Sequence, residues 1–474
     1  MRKTCRFTLS VFVCAALLLP AAAAGAQDNK QTAFNWIEEN SADLIKISDA
    51  IWEFAEIGLQ ETRSAALLAD TLEKLGFEVE RGVAGLPTAF TARWGSGDPV
   101  IGILGEYDAL PSLSQAAGVA EKKPLVEGGA GHGCGHNLFG VASLAAAVSV
   151  KEVMEQQDLG GTIIYFGCPA EETVVGKTVM AKAGLFDGLD AAVSWHPSSE
   201  NAVSLNSSLA LNSFKVSFRG QTAHAAADPW NGRSALDAVE LMNIGVNMMR
   251  EHVKPTTRIH YVILDGGHAP NVVPDFARSW YYVRALDRDE VDLYYKRILK
   301  IAEAAAMATQ TELEIELITG VHNMLVNRAI AEANYKNLEL VGAPDFSDEE
   351  QEFAKQLQRF FGSEEKGLSE ELKPFQEEPY LGGGSTDVAE VSWICPLAQV
   401  NTVCVPDGVA WHNWAVVSCS SHPIGHKGML AAAKVLAAST LDLLTDKELL
   451  QKAKEEFEKA TEGKEYKSPL DEVD

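Results

Sequence analysis

Apolar positions recur at helical spacing through Trp36, Ile37, Leu44, Ile47, Ile51, Phe54 and Ala55, which predicts one helix early in the chain. A second helix, over residues 64–75, stops at Gly76 and leads into a short strand at 77–80. The period then changes. Strand-like runs at 88–94, 100–104, 162–167 and 191–194 are interrupted by a small-residue helix at 141–154. Three of these strands run into polar clusters: Gly105-Glu106-Tyr107-Asp108-Ala109-Leu110-Pro111, Cys168-Pro169-Ala170-Glu171-Glu172 and Trp195-His196-Pro197. Strands and helices arranged in this way predict an α/β domain with its site along the carboxyl edge of the sheet.

From residue 213 the order becomes strand (213–218), helix (234–252), strand (257–264), strand (280–285), helix (289–306) and strand (312–318). That is the order of a ferredoxin-like α+β layer, here inserted with borders near 210 and 320. The outer α/β domain is then discontinuous, 27–209 and 321–445. Its second part has a capping box from Ser347 to Glu350, an acidic loop at 363–378 and a glycine turn Gly382-Gly383-Gly384-Ser385-Thr386-Asp387. A strand at 398–405 and an apolar helix at 429–444 complete it. Residues 446–474 form a charged, mostly helical tail with no assigned chemistry.

The N-terminus changes the picture. Arg2, Lys3 and Arg6 precede an apolar run at 9–24 and the small residues Ala24-Gly25-Ala26. Residues 1–26 therefore read as a secretory signal peptide cleaved after Ala26, giving an exported protein, periplasmic or secreted. No later stretch reads as long and apolar enough to cross a bilayer. The formal net charge of −26 argues against nucleic acid or an anionic membrane surface as partner. Cys134, Cys168, Cys395, Cys404 and Cys419 remain after the leader, odd in number and too sparse for a disulfide framework.

Candidate chemistry concentrates in the outer domain. The segment Gly131-His132-Gly133-Cys134-Gly135-His136-Asn137 offers a thiol and an imidazole two positions apart on a glycine-rich backbone. Glu171/Glu172, His196 and His412 offer further ligands at strand ends or turns. Adjacent carboxylates on an extended strand end point to opposite sides, so one of the Glu171/Glu172 pair can hold a metal while the other carries a proton. Such a cluster suits two metal ions that polarise an amide carbonyl and acidify water. His422 and His426 are rivals for His412, which spacing to the final helix favours.

These motifs, with Thr222-Ala223-His224-Ala225-Ala226, Gly266-Gly267-His268-Ala269-Pro270-Asn271-Val272-Val273-Pro274-Asp275 and Trp411-His412-Asn413-Trp414, occur in the order seen in the M20 metallopeptidase superfamily. The chain resembles that superfamily's amidohydrolase branch with a cysteine ligand, of the aminobenzoyl-glutamate hydrolase type. The resemblance implies a mixed-sheet catalytic domain with an inserted ferredoxin-like lid and dimerisation domain, and two divalent ions, Mn2+ or Zn2+, per subunit. It implies Cys134, His136, Glu172, His196 and His412 as ligands, with Cys134 the candidate bridge, and Glu171 as general base. Asp108 becomes an orienter of a ligand, since Glu106 stands where relatives carry the histidine of a His-x-Asp pair. Asn137 stands where many relatives carry Asp. His224 is expected to reach a partner's active site, and Asn271 and Arg284 to contact substrate. The expected substrate is an N-acyl or aminobenzoyl amino acid, and the expected assembly a homodimer or a heterodimer with a paralogous subunit. An exported dipeptidase or aminoacylase is the alternative enzyme; a non-catalytic binder of metal or conjugate is the alternative outside enzymes.

Overall fold

A computed structural model describes residues 18–376, 378 and 382–471. The chain opens with α1 (Leu18–Glu39), α2 (Ser41–Phe54) and α3 (Thr62–Lys74). One helix across 36–55 is not what forms: the chain breaks at Asn40, which sits at φ −102° and ψ 5°. Its side-chain amide donates to the Trp36 carbonyl at 2.8 Å, a local bond that competes with the helix ladder. Most of the predicted leader lies outside the described residues, and α1 runs across the Ala26–Gln27 junction.

β1 (Glu78–Arg81), β2 (Phe90–Ser96), β3 (Val100–Glu106), α4 (His136–Gln157), β4 (Gly161–Cys168), α5 (Gly176–Lys182), β5 (Ala191–Ser198) and β6 (Ala202–Val203) follow. The inserted layer is β7 (Ala210–Arg219), α6 (Ala235–Met249), β8 (Arg258–Asp265), β9 (Phe276–Ala285), α7 (Arg288–Thr309) and β10 (Glu312–Val321). The chain returns through α8 (Arg328–Val341), α9 (Asp348–Phe361), α10 (Val388–Ser392), β11 (Leu397–Val403), α11 (Trp414–Ser420), α12 (Pro423–Thr445) and α13 (Lys447–Thr461).

Among the described residues the larger sheet runs β1-β2-β4-β3-β5-β11-β6. Its centre is parallel, with β4, β3, β5 and β11 side by side, and β2 and β6 run against them. Both faces of this centre are covered, so six of the seven β3 positions are buried. The second sheet is antiparallel, in the order β10-β7-β9-β8. Phe214, Val216, Phe218, Tyr281 and Val283 pack on one of its faces with Val239 and Met242 of α6. The α/β class and the ferredoxin-like insertion are therefore as expected.

Three departures bear on the site. α4 starts at His136, five residues before the predicted helix, so this imidazole stands on a helix N-terminus. β5 extends through Ser198, so Trp195, His196 and Pro197 lie on the strand and not beyond it. Its parallel pairing with β11 carries the ladder through Asn401↔His196 to Val403↔Ser198, a partner some two hundred residues away that no local pattern announces. Finally, α4 and α12 are long and apolar enough to span a membrane, at 22 and 23 residues and mean hydropathy 1.3. This corrects the sequence expectation of no such stretch. Both are packed inside the protein: Leu138, Val141 and Leu144 of α4 share one core with Met429, Val435 and Leu436 of α12.

Candidate metal centre

The carboxyl edge of the parallel strands collects the titratable groups. β3 ends in Glu106 and leads to Asp108; β4 leads into a single turn of 3-10 helix, Glu171–Thr173; β5 carries His196. Cys134 and His136 flank Gly135, which adopts φ +76° and whose added Cβ would lie 3.0 Å from Pro197 Cγ. Only glycine meets both demands, so the thiol and imidazole are aimed by a residue that leaves room for β5. Ala170 (φ 55°), Val174 (φ 52°) and His412 (φ 55°) are also left-handed. Each such residue costs about 1–3 kcal/mol and persists where its surroundings hold it.

Cys134 Sγ lies 3.4 Å from His196 Nε2, and His412 Nε2 lies 3.3 Å from Glu172 Oε2. Two donors bound to one ion at about 2.0–2.3 Å in tetrahedral geometry stand about 3.3–3.6 Å apart. Ligand atoms of Cys134, His136 and His196 lie within 4.8 Å of one another, as do those of Cys134, Glu172 and His412. The thiol is common to both groups. His136 Nδ1 donates to Asp108 Oδ1 at 2.8 Å, and His196 Nδ1 donates to the Pro197 carbonyl at 2.7 Å. Both rings thus turn Nε2 inward, the arrangement metal-binding imidazoles adopt. His136 Nε2 and Glu172 Oε1 are buried without hydrogen-bond partners. Orphaned atoms and a thiol–imidazole–carboxylate donor set fit divalent metal ions.

Burial governs the titration of these groups. It pushes the Cys134 thiol up to about 12 and Glu172 up to about 9. It raises Glu171 to about 7, with the neighbouring Glu106 charge adding to the effect. His196 is pushed down to about 4, which keeps its imidazole neutral. A thiolate and a carboxylate in such surroundings call for a cation.

The structure also brings in residues that the sequence reading did not use. Lys177 of α5 is fully buried, with Nζ 2.8 Å from Glu106 Oε1 and 2.5 Å from Asp387 Oδ1. Burial opposes its charge, but Asp387 and Glu106 outweigh it and hold the ammonium above its ordinary range. Glu106 Oε2 in turn lies 3.3 Å from His136 Nε2. Glu61 accepts the Ala170 N–H at 2.8 Å behind the Glu171 turn. Lys177 and Asp387 are 210 residues apart, and no spacing rule joins them.

The remaining sequence candidates divide. Asp108 touches His136, and its Oδ2 accepts the Glu172 N–H at 2.9 Å. His422 stacks on Phe353 and His426 bonds Asp49 at 2.9 Å; neither joins a ligand group among the described residues. His132 bonds the Ile51 carbonyl at 3.1 Å, and Asn137 turns into the core toward Ser48 and Ser420. His224 is exposed on the lid, and its Nδ1 accepts the N–H groups of Ala226 and Ala227, both at 3.2 Å. The ring proton therefore sits on Nε2. Asn271 is exposed on the adjoining loop, joined through Ala225 N to Asn271 O at 3.0 Å. Arg284 lies at the other end of β9, roughly 25 Å away along the strand, with Nε unpaired. It is stacked over Tyr282 at 5.5 Å and not paired with Asp287. Tyr282 and Leu211 pack against Val174, beside the Glu171 turn. Arg284 thus pairs with Leu211 at the lid end that packs on Val174, and His224 lies at the opposite end of the lid.

Residues 210–310 match the peptidase dimerisation domain of M20 proteins. The chain is 40% identical to a subunit of the p-aminobenzoyl-glutamate hydrolase of Escherichia coli (strain K12), over 92% of this chain and 96% of that protein. It is 30% identical to the Xaa-Arg dipeptidase of Mus musculus, over 90% of this chain and 92% of that protein. Its fold is shared with an aminobenzoyl-glutamate utilization protein from Klebsiella pneumoniae (TM-score 0.62, 17% identity, 87% of this chain and 98% of that one). It is also shared with a dinuclear metal-binding M20 peptidase from Bacillus subtilis (TM-score 0.56, 16% identity, 86% of this chain and 99% of that one). Fold and relatives define a metal-dependent hydrolase of amide bonds. The chain belongs to the M20 family, in which it is similar over nearly its whole length to the aminobenzoyl-glutamate hydrolase subunit.

Proposed function

We propose that this enzyme cleaves the amide bond of N-acyl or aminobenzoyl amino acids, with aminobenzoyl-glutamate the first compound to test. The observation that carries the reading is the convergence of Cys134, His136, His196, Glu172 and His412 beside a half-buried Glu171. These five side chains would hold two divalent ions, Mn2+ or Zn2+, Cys134 being common to two of the ligand groups. Bound there, the ions supply Lewis acidity to the amide carbonyl and lower the pKa of water.

Glu171, its carboxyl raised by burial and by the neighbouring Glu106 charge, takes a proton from water as it attacks the carbonyl and passes it to the leaving amine. Asp108 holds His136 and the Glu172 backbone in register. His224 presents Nε2–H outward, so it serves the scissile carbonyl oxygen of a substrate bound by a second subunit, identical or paralogous. Arg284, on the lid end nearest the Glu171 turn, receives the carboxylate of the amino acid, and Asn271 contacts substrate from the His224 end. A cavity of about 500 Å³ opens on Cys134, His196 and His412 and is bordered by Trp411, Gln399 and Asn401, a size suited to such conjugates. The leader reading makes the mature enzyme exported, beginning at Gln27, which N-terminal sequencing of protein from the native host checks.

The deciding experiment compares wild type with Glu171→Gln on a panel of N-acyl amino acids, aminobenzoyl-glutamate and dipeptides, with metal content measured in parallel. Loss of turnover with metal retained is expected. Turnover retained in Glu171→Gln would remove Glu171 from its role, and a wild type that cleaves only dipeptides would shift the substrate class to that of the mouse relative.

A further inference from the structure

The turn that carries Glu171 and Glu172 is an unfavourable piece of backbone. Ala170 at φ 55°, ψ 39° and Val174 at φ 52°, ψ 40° bracket it in the left-handed region. A β-branched residue there is a conformational outlier, and such backbone survives only under external restraint. On the Ala170 side the restraint is local to the catalytic domain: Glu61 accepts the Ala170 N–H, and Asp108 accepts the Glu172 N–H.

On the Val174 side the lid adds to a local bond from the Val174 N–H to the Glu171 carbonyl at 2.7 Å. Thr319 of β10, fully buried, donates its hydroxyl to the Val174 carbonyl at 2.6 Å. Thr178 of α5 fills the second acceptor position of that carbonyl at 2.9 Å. The Val174 side chain packs against Leu211 of β7, Val321 of β10 and Tyr282 of β9. β10 is irregular at this point, its pairing with β7 shifting register between Leu317 and Thr319. Bulges of this kind re-aim a side chain, and here the irregularity falls beside the hydroxyl that reaches out of the lid. Leu211, Thr319 and Val321 also sit at the two ends of the inserted layer, where the chain passes between domains.

We propose that Thr319 and Val174 are positioning residues through which the lid domain sets the geometry of the base turn. The proposal rests on Glu171 being the base. A change of lid seating shifts the Val174 carbonyl, and the strained turn passes the shift to Glu171 three residues away. The lid then does more than associate with a second subunit: its seating and the placement of the base are one equilibrium.

Thr319→Val keeps shape and removes the donor; Thr319→Ser keeps the donor. The test measures kcat, KM and bound metal for both, on whichever amide the wild type cleaves. Thr319→Val is expected to lose about tenfold or more in kcat, since small misplacements of reacting groups are costly, with KM and metal content near wild type. Thr319→Ser should recover most of the loss. Val174→Ala, which trims the lid contact and also eases the β-branched strain at a left-handed position, is expected to reduce kcat as well. It also serves as the deciding variant should Thr319→Val fail to fold. Wild-type kcat in Thr319→Val, or in Val174→Ala where the former does not fold, overturns the proposal. A kcat loss that Thr319→Ser fails to recover overturns the role of the hydroxyl. A wild type with no turnover on any amide instead removes the reading of Glu171 on which the proposal stands.

Discussion

Asp108 and Glu172 are joined through the main chain: the carboxylate of the first accepts the backbone N–H of the second at 2.9 Å, while its other oxygen holds His136 Nδ1 at 2.8 Å. One side chain thereby orients two proposed ligands. Asp108→Asn keeps the size but gives His136 an amide to face. It should weaken metal binding about 10–100-fold, the usual cost of losing a ligand's supporting carboxylate. Titration of the metal-free protein with Mn2+ or Zn2+ measures this, and unchanged affinity would remove Asp108 from that role.

Cys134 is shared by two of the three candidate ligand groups among the described residues, the third being Glu106, His136 and Glu171. Cys134→Ala should therefore release more than one ion's share of metal, whereas His412→Ala should leave the Cys134–His136–His196 group able to bind. Metal-to-protein ratios decide between a shared and an unshared thiol. Bound metal should also protect the thiol from peroxide, because oxidation proceeds through an accessible thiolate.

Lys177 faces Glu106 and Asp387 with no exposure to solvent. Removing one partner of a buried pair leaves uncompensated charge, at about 3–5 kcal/mol. Lys177→Met is expected to lose stability of that order in denaturant unfolding, and a loss below about 1 kcal/mol would mean that the two carboxylates share a proton instead.

The pH behaviour has a definite sign. In the metal-free chain Glu61 and Glu171 titrate near 7 and Glu172 near 9, all raised mainly by burial. The folded state then binds protons that the unfolded state has lost, so these groups make stability fall as pH rises through their folded values. His132 and His196, both pushed down to about 4 by burial, act in the opposite direction, but only below their ordinary range near 6.5. Between about pH 6.5 and 9 the carboxylates dominate. The metal-free protein should melt at progressively lower temperature across that window, and bound metal should flatten the trend. Activity should rise as Glu171 ionises.

His224 has its acceptor nitrogen occupied by two backbone N–H groups and its ring exposed. If it acts across subunits, His224→Ala and Glu171→Gln, each inactive alone, should recover up to about a quarter of wild-type activity per subunit when mixed and allowed to exchange, because mixed dimers contain one intact site. No recovery in demonstrated mixed dimers would place its action elsewhere.

Much of this protein is legible in the chain itself. Period-3.6 and period-2 patterns mark the elements, and the switch of pattern near 210 and 320 marks the inserted layer, because burial of one face imposes periodicity locally. The Cys-Gly-His and Glu-Glu motifs are legible for a similar reason: their spacing is set by a single turn or strand end. Tertiary structure decided what depends on distant partners. β5 carries His196 on the strand because β11 pairs with it, and α4 begins at His136 because Gly135 admits a left-handed turn against Pro197. Lys177 meets Asp387, and Thr319 meets Val174, across separations of 210 and 145 residues. A buried charge or a strained turn is stable only against a partner at hydrogen-bond distance, and that distance exists only once the two halves of the outer domain and the lid have closed on one another.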